Sequence, residues 1–303
     1  MPHDHAPPEA DGRRLAAAVA VNLGLTAAQL VGALFAGSLA LAADALHNLS
    51  DAVSLGAALL ARRVARRPAD ARMTFGYGRI EAVAALVNST ALAALGLWLI
   101  VEAARRAWNP APVEGWTVVA LAGLALAVDV VTAMLTAAGA RRSVNIRAAF
   151  LHNLGDALAS VAVIVSGALI LLYDWRLADP LATLIVSAMI LGMAWSGGRD
   201  AARILMLGTP EALDPRAVID DLERLEGVGR LHHVHLWRME EHRPSFDAHV
   251  VLAEGARPAE VKAALRERLA DRWEVHHATL ETETPAEAAA ASGAERVIGH
   301  DAR

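Results

Sequence analysis

A histidine and an aspartate four residues apart occur twice in this chain, in closely similar settings. Leu46-His47-Asn48-Leu49-Ser50-Asp51-Ala52 recurs as Leu151-His152-Asn153-Leu154-Gly155-Asp156-Ala157, with six of seven positions identical. On an α-helix, residues four apart project from one face about one turn apart. Each heptapeptide would therefore hold an imidazole and a carboxylate side by side. Two such helices meeting would bring two of each to a common point, a nitrogen-and-oxygen donor set suited to tetrahedral Zn²⁺. Cysteine is absent, so thiolates cannot contribute to any metal site. The competing reading is that each pair merely holds helices together by an interhelical hydrogen bond. Recurrence argues against it, because ionisable groups within apolar segments are costly and tend to mark ion pathways.

The elements that must carry these residues are apolar. Of 303 residues 55% are hydrophobic, and the mean hydropathy of +0.36 exceeds what a soluble globular domain normally shows. Six stretches are long enough to cross a hydrocarbon core of roughly 30 Å, which takes about 20 helical residues. They lie near Leu15–Phe35, Leu41–Ala61, Ile80–Ala104, Thr117–Ala138, Ala148–Leu172 and Pro180–Gly197. The repeated motif falls in the second and fifth. Met1 to Arg14 is polar and acidic, so no cleavable signal peptide is expected and residues 1–14 read as a flexible leader. Arginines crowd one set of loop ends: Arg13 and Arg14, then Arg62, Arg63, Arg66, Arg67 and Arg72, then Arg141, Arg142 and Arg147, then Arg199 and Arg203. The opposite loops hold Arg105, Arg106 and Arg176. The positive-inside rule then puts both termini in the cytoplasm.

After Gly208 the apolar runs give way to alternation and amphipathic helix. Ala217–Leu225 reads as a helix, Gly229–Met239 and Ser245–Ala253 as strands, Pro258–Arg272 as a helix and Glu274–Glu283 as a strand. The expected architecture is a helical membrane protein with six transmembrane helices in residues 15–207. A small α-β-β-α-β, ferredoxin-like α+β domain follows over 208–284 and a disordered alanine-rich tail over 285–303.

The chain resembles the cation diffusion facilitator transporters from about Leu15 to Glu283. The likeness rests on Gly37-Ser38-Leu39-Ala40-Leu41-Ala42-Ala43-Asp44-Ala45-Leu46-His47, on Thr74-Phe75-Gly76-Tyr77-Gly78-Arg79-Ile80-Glu81, on Asn145 through Asp156, and on Asp179-Pro180. It implies export of Zn²⁺ or a related divalent ion (cadmium, cobalt, iron, manganese) in exchange for protons. The transport site would be His47, Asp51, His152 and Asp156, in a homodimer in a bacterial inner membrane. Family members with histidine at the position of His47 look more zinc-selective. Imidazole in place of carboxylate also disfavours ions that want six or more oxygens.

The resemblance further aligns His233, His249 and His277 with ligands of a cytoplasmic metal site, which Glu283 would complete. Thr279 stands where some relatives have aspartate. Strict strand alternation puts His233 and His235 on one face and His232 on the other. Some relatives carry a loop metal site between the second and third spans. Here Asp70 is followed by Ala71, Met73 and Tyr77 rather than histidines, so Asp70 reads as a solvated surface residue. Arg79 aligns with a basic residue that in some relatives pairs with an acid after the sixth span, but that stretch here is Leu205-Met206-Leu207-Gly208. Asp44 and Asp129 are candidate relay groups, and Asn48 and Asn153 candidate supports for the neighbouring histidines. His3 and His5 suggest at most the start of a metal-collecting arm.

Other function classes fit less well. A net charge of −5 without a basic arm gives nucleic acid no purchase. An intramembrane metalloenzyme needs an open coordination position and a base, and no His-Glu-x-x-His is present. A membrane-anchored metal sensor would have no use for paired ionisable groups in its anchor.

Overall fold

A computed structural model describes residues 9–140, 144–240, 243–291 and 298. His3, His5, Arg141, Arg142 and most of the expected tail beyond Ala291 lie outside the described residues.

Six long helices come first: α1 (Glu9–Ala36), α2 (Leu39–Ala65), α3 (Ile80–Trp108), α4 (Gly115–Ala140), α5 (Val144–Tyr173) and α6 (Ala178–Leu205). The shortest has 26 residues and so runs about 39 Å, more than enough to cross a bilayer. Among the described residues α3, α4, α5 and α6 are long and apolar enough to span by composition alone, and α1 contributes a shorter apolar stretch, Asn22–Ala36. α2 falls short for an instructive reason: its middle carries Asp44, His47, Asn48 and Asp51. The expected starts shift too, since α1 already runs from Glu9, six residues ahead of Leu15.

By its internal contacts the chain divides into two units, residues 1–57 with 87–197, and residues 58–86 with 198–303. The first is a helical bundle whose core mixes bulky Leu41, Leu99, Val118, Val163 and Ile190 with Ala40, Ala43, Ala122, Ala159 and Ala182. Small residues let backbones approach closely, which is how helices gain packing contact where lipid already matches them in polarity. α4 and α5 show this most directly. A Cβ built on Gly167 would lie 2.9 Å from a Val119 methyl and 3.0 Å from one of Val118.

The second unit holds the sheet. α7 (Pro215–Leu222) leads into β1 (Val228–Glu240), β2 (Arg243–Leu252), α8 (Pro258–Trp273) and β3 (His277–Glu283). Asp214 caps α7 by accepting from the Arg216 N–H, which fixes its start just ahead of the expected one. The strands run in the order β1-β2-β3, with β1 antiparallel to β2 and β2 parallel to β3. The α-β-β-α-β order is thus realised as anticipated. Glu274, expected to open the last strand, instead ends α8 in a left-handed conformation (φ 56°). Phe246, Leu222, Leu231, Leu265 and Leu269 fill the core between helices and sheet. Pro285–Ala291 forms a further short helix, α9, with Ala288 buried, where a disordered tail was expected to begin.

This unit also takes in the loop between α2 and α3, which the sequence assigns to the membrane domain. The Phe75 ring packs edge-on against Trp237 of β1 at 6.1 Å. The Arg79 guanidinium lies 5.4 Å over the same indole, and its Nε donates to the Met239 carbonyl at 3.1 Å. Aromatic and cation–π contacts thereby stand where an ion pair would be sought.

Candidate metal centre

α2 and α5 bring their matching motifs face to face. His47 Nε2 lies 3.2 Å from Asp156 Oδ1 across the helix pair and 3.7 Å from Asp51 Oδ2 on its own helix. His152 Nε2 lies 3.4 Å from Asp51 Oδ2 and 3.4 Å from Asp156 Oδ2. Each imidazole thus faces two carboxylates, one from each helix, and each carboxylate faces both imidazoles. Bonds of about 2.0–2.1 Å from a tetrahedral zinc to its nitrogen and oxygen ligands put those ligands roughly 3.3–3.4 Å apart. His47, Asp51 and Asp156 have ligand atoms within 4.8 Å of one another; His152 approaches both carboxylates near that tetrahedral edge, with its ring 6.3 Å from that of His47.

Exposure is graded along the site. The His47 and Asp156 side chains are 4% and 10% exposed, whereas Asp51 and His152 are 27% and 39% exposed. Asp51 lies one turn nearer the arginine-bearing end of α2, and His152 one turn nearer the start of α5. The cluster is therefore sealed on one side and open on the side where the arginines gather. His47 Nδ1 is buried with no hydrogen-bond partner among the described residues, so the ring is held through Nε2 alone.

Three neighbouring polar residues make their hydrogen bonds outside these four. The Gln29 amide of α1 donates to Asp44 Oδ2 at 2.8 Å, and Asn48 Nδ2 donates to Gln29 Oε1 at 3.4 Å. Asp44 and Asn48 thus secure α2 to α1. Asp129 accepts from Ser160 Oγ at 3.4 Å, a bond between α4 and α5.

In the sheet domain the structure gathers a cluster that overlaps the aligned ligand set at His249 and Glu283. His232, His249 and Glu283 form the cluster: Glu283 accepts from His232 Nε2 at 3.0 Å and from His249 Nδ1 at 2.5 Å. Burial alone would raise the Glu283 carboxyl, but the hydrogen bonds from His249 and His232 outweigh it and hold it below the usual carboxylate range. His233 stands beside the cluster, its ring 4.9 Å from that of His249. His277 is not part of it. It pairs with Ser245, whereas His249 pairs with Glu281 four residues along β3, about 13 Å away at strand spacing. Strict alternation does not reveal the place of His232. A register shift between His232 and His235, with His233 at φ 51°, bends β1 so that both His232 and His233 turn toward His249.

Asp70 is exposed but not idle. Its Oδ1 accepts from the N–H groups of Arg72 and Met73, and its Oδ2 from the Tyr77 hydroxyl at 2.7 Å. The Tyr77 bond, then the two backbone bonds, hold its carboxyl below the ordinary value. Both oxygens are engaged in shaping the loop.

A multi-spanning helical membrane protein with paired His and Asp side chains between two spans, and a small α+β domain after them, belongs to the class of ion carriers rather than anchors. Comparison with known proteins narrows that class. Residues 15–206 match the family model of the cation efflux transmembrane domain. The chain is 38% identical over 290 residues to the zinc transporter ZitB of Pectobacterium atrosepticum, covering 93% of this chain and 89% of that protein. It is 35% identical over 262 residues to the cadmium, cobalt and zinc/H(+)-K(+) antiporter of Bacillus subtilis, with 85% and 84% covered. The metal cation efflux system protein CzcD of Cupriavidus metallidurans is 31% identical over 282 residues, with 93% and 89% covered. The metal-bound C-terminal domain of a CzcD transporter aligns with 23% of this chain and 99% of its own length, at 29% identity and a TM-score of 0.23. The chain belongs to the cation efflux family, the cation diffusion facilitators, and is an integral membrane transporter of divalent metal cations.

Proposed function

We propose that the chain exports divalent metal ions from the cytoplasm, zinc foremost, and exchanges them for protons at a site made by His47, Asp51, His152 and Asp156. The observation that carries this reading is the mutual approach of the two motifs, with nitrogen–oxygen separations of 3.2–3.7 Å. With both imidazoles neutral, the two carboxylates balance the charge of one divalent ion, so the loaded site is neutral overall. Emptied, it would hold two uncompensated carboxylates, Asp156 among them largely shielded from water, an unfavourable state. Protons taken up by the same oxygens and nitrogens relieve that cost. Ion and proton therefore compete for shared lone pairs, and this competition couples their fluxes. The name of the Bacillus subtilis relative, which includes H(+) and K(+) as exchanged ions, agrees.

The open flank at Asp51 and His152 is the loading side, facing the cytoplasm if the arginines obey the positive-inside rule. Residues 15–207 then form the membrane domain in a bacterial inner membrane, and 208–284 a cytoplasmic domain of a homodimer. His232, His249 and Glu283 would bind a regulatory ion there.

Zinc uptake into proteoliposomes, followed together with an internal pH indicator, tests the reading. Zinc entry should be matched by proton exit, and both should vanish in Asp51→Ala protein that still folds. Uptake with no opposing pH change refutes the exchange, and undiminished uptake by the variant refutes the site.

A further inference from the structure

We propose that Asp179, at the start of α6, is a positioning residue for transport: it clamps the first turn of α2 and so fixes where His47 stands. This inference rests on the reading of His47 as a ligand of the transported ion.

The first amides of a helix lack partners within it and must be satisfied from outside. In α2 two of them are satisfied by a residue about 140 positions away in sequence. Asp179 Oδ2 accepts from the Leu39 N–H at 2.8 Å, and Oδ1 from the Ala40 N–H at 3.3 Å and from Ser38 Oγ at 2.5 Å. Ser38 Oγ in turn accepts from the Leu41 N–H at 3.1 Å. Local capping by Ser38 thus reaches one amide, and the carboxylate from α6 reaches the others. Asp179 and Ser38 are 1% and 2% exposed, so these charge-assisted bonds are shielded from water.

The turn just before is held as well. Gly37, at φ 68°, closes the α1–α2 turn, and its carbonyl accepts from Arg106 of α3 at 2.5 Å. Arg106 is steadied by Glu102 at 3.3 Å. The Ala36 carbonyl accepts from the Glu114 N–H at 2.9 Å.

Burial along α2 follows from this anchorage. Ala40, Leu41, Ala43 and Ala45 are fully buried and His47 nearly so, whereas Val53, Leu55, Leu59 and Leu60 are each more than half exposed. The helix has a seated half, ending at His47 about 12 Å beyond Leu39 at 1.5 Å per residue, and a less enclosed half that begins near Asp51. The clamp acts on the seated half, so it governs the His47 end of the site more than the Asp51 end. Loosening it lets the imidazole drift from its three companions, and a site weakened in nitrogen loses its preference for zinc over harder ions such as Mn²⁺.

The test uses the full chain in proteoliposomes, with initial uptake rates measured against Zn²⁺ and Mn²⁺ concentration for Asp179→Ala, Asp179→Asn, Ser38→Ala and the double variant. Groups that orient metal ligands typically change affinity by about tenfold or more. Asp179→Ala should therefore raise the KM for Zn²⁺ by at least about tenfold and narrow the Zn²⁺ over Mn²⁺ preference. Asp179→Asn should fall between it and the wild type, because the amide keeps only one acceptor oxygen. Ser38→Ala should add little in the Asp179→Ala background. A residue that only stabilises the fold would lower the amount of active protein and the thermal midpoint while leaving KM and metal preference unchanged. That result in the folded variants overturns the proposal, and if Asp179→Ala does not fold, Asp179→Asn and Ser38→Ala decide it. His47→Ala is the control. Unaltered zinc KM there would remove the site reading itself, whereas a raised KM there beside unaltered Asp179 variants removes the clamp alone.

Discussion

Replacing Asp156 by asparagine probes the site where it is most enclosed. The Asp156 side chain is 10% exposed and offers Oδ1 to His47 and Oδ2 to His152. The amide would keep the shape but lose the charge and one acceptor. With neutral imidazoles, Asp51 alone would then face a divalent ion, leaving one positive charge uncompensated in a poorly solvated place. Breaking a buried charge pair by removing one partner costs about 3–5 kcal/mol. At about 1.4 kcal/mol per factor of ten, zinc binding should weaken between about 140-fold and about 4,000-fold. The measurement is titration of purified protein in detergent at neutral pH, in a His249→Ala background so that the sheet domain does not contribute heat. Uptake rates at low zinc should fall in parallel. Asp44→Asn is the comparison: that carboxylate is engaged by Gln29 at 2.8 Å, and its loss should shift zinc affinity by less than about tenfold, the cost of a single hydrogen bond. A folded Asp156→Asn protein with affinity within tenfold of the wild type would refute the reasoning. So would a larger effect from Asp44→Asn.

Three further outcomes are expected. In the full chain, His232→Ala should abolish metal binding by the sheet domain while His277→Ala leaves it intact, as counted by metal stoichiometry after dialysis; the reverse result would restore the ligand set read by resemblance. Lowering pH from about 7.5 to about 5.5 crosses the ordinary imidazole pKa of about 6.5. Protons then occupy the lone pairs metal needs, so apparent zinc affinity should fall by at least about tenfold, and a flat profile would exclude histidine ligation. Gly167→Val should lower the thermal midpoint of the protein in detergent by an amount equivalent to about 1–3 kcal/mol, because its first added carbon already meets Val118 and Val119 within about 3 Å.

Much of this molecule is legible in its sequence because the features concerned are local. Spacing of four on a helix determines that His47 and Asp51 share a face, apolar length locates the six long helices, and periodicity gives the α-β-β-α-β order. What escapes is set by long-range partners. The bend in β1 that turns His232 toward His249 comes from a register shift against β2, which no count of alternating residues can reveal. The place of His277 four residues along β3 from the partner of His249 depends on how β3 slides along β2, and a single sequence leaves that slide undetermined. Asp70 looks like an ordinary surface acid until the fold brings Tyr77 and two backbone amides to its oxygens. The hydropathy of α2 is lowered by Asp44, His47, Asn48 and Asp51, so the span that carries half of the proposed site is the one composition marks least.

The two motifs run in opposite directions along the site, and this has a physical consequence for carriage. Because α2 and α5 are antiparallel there, His47 faces Asp156 and His152 faces Asp51, and each end of the site holds one nitrogen and one oxygen donor. An ion arriving from either side would meet the same chemistry first. A site with both histidines at one end would bind a borderline-soft ion more tightly from that side and release it poorly to the other. As the proposed site, the duplicated heptapeptide would supply more than four ligands. Under the proposed exchange the two entrances would be alike, and the direction of transport would be left to the protons and to which flank is open.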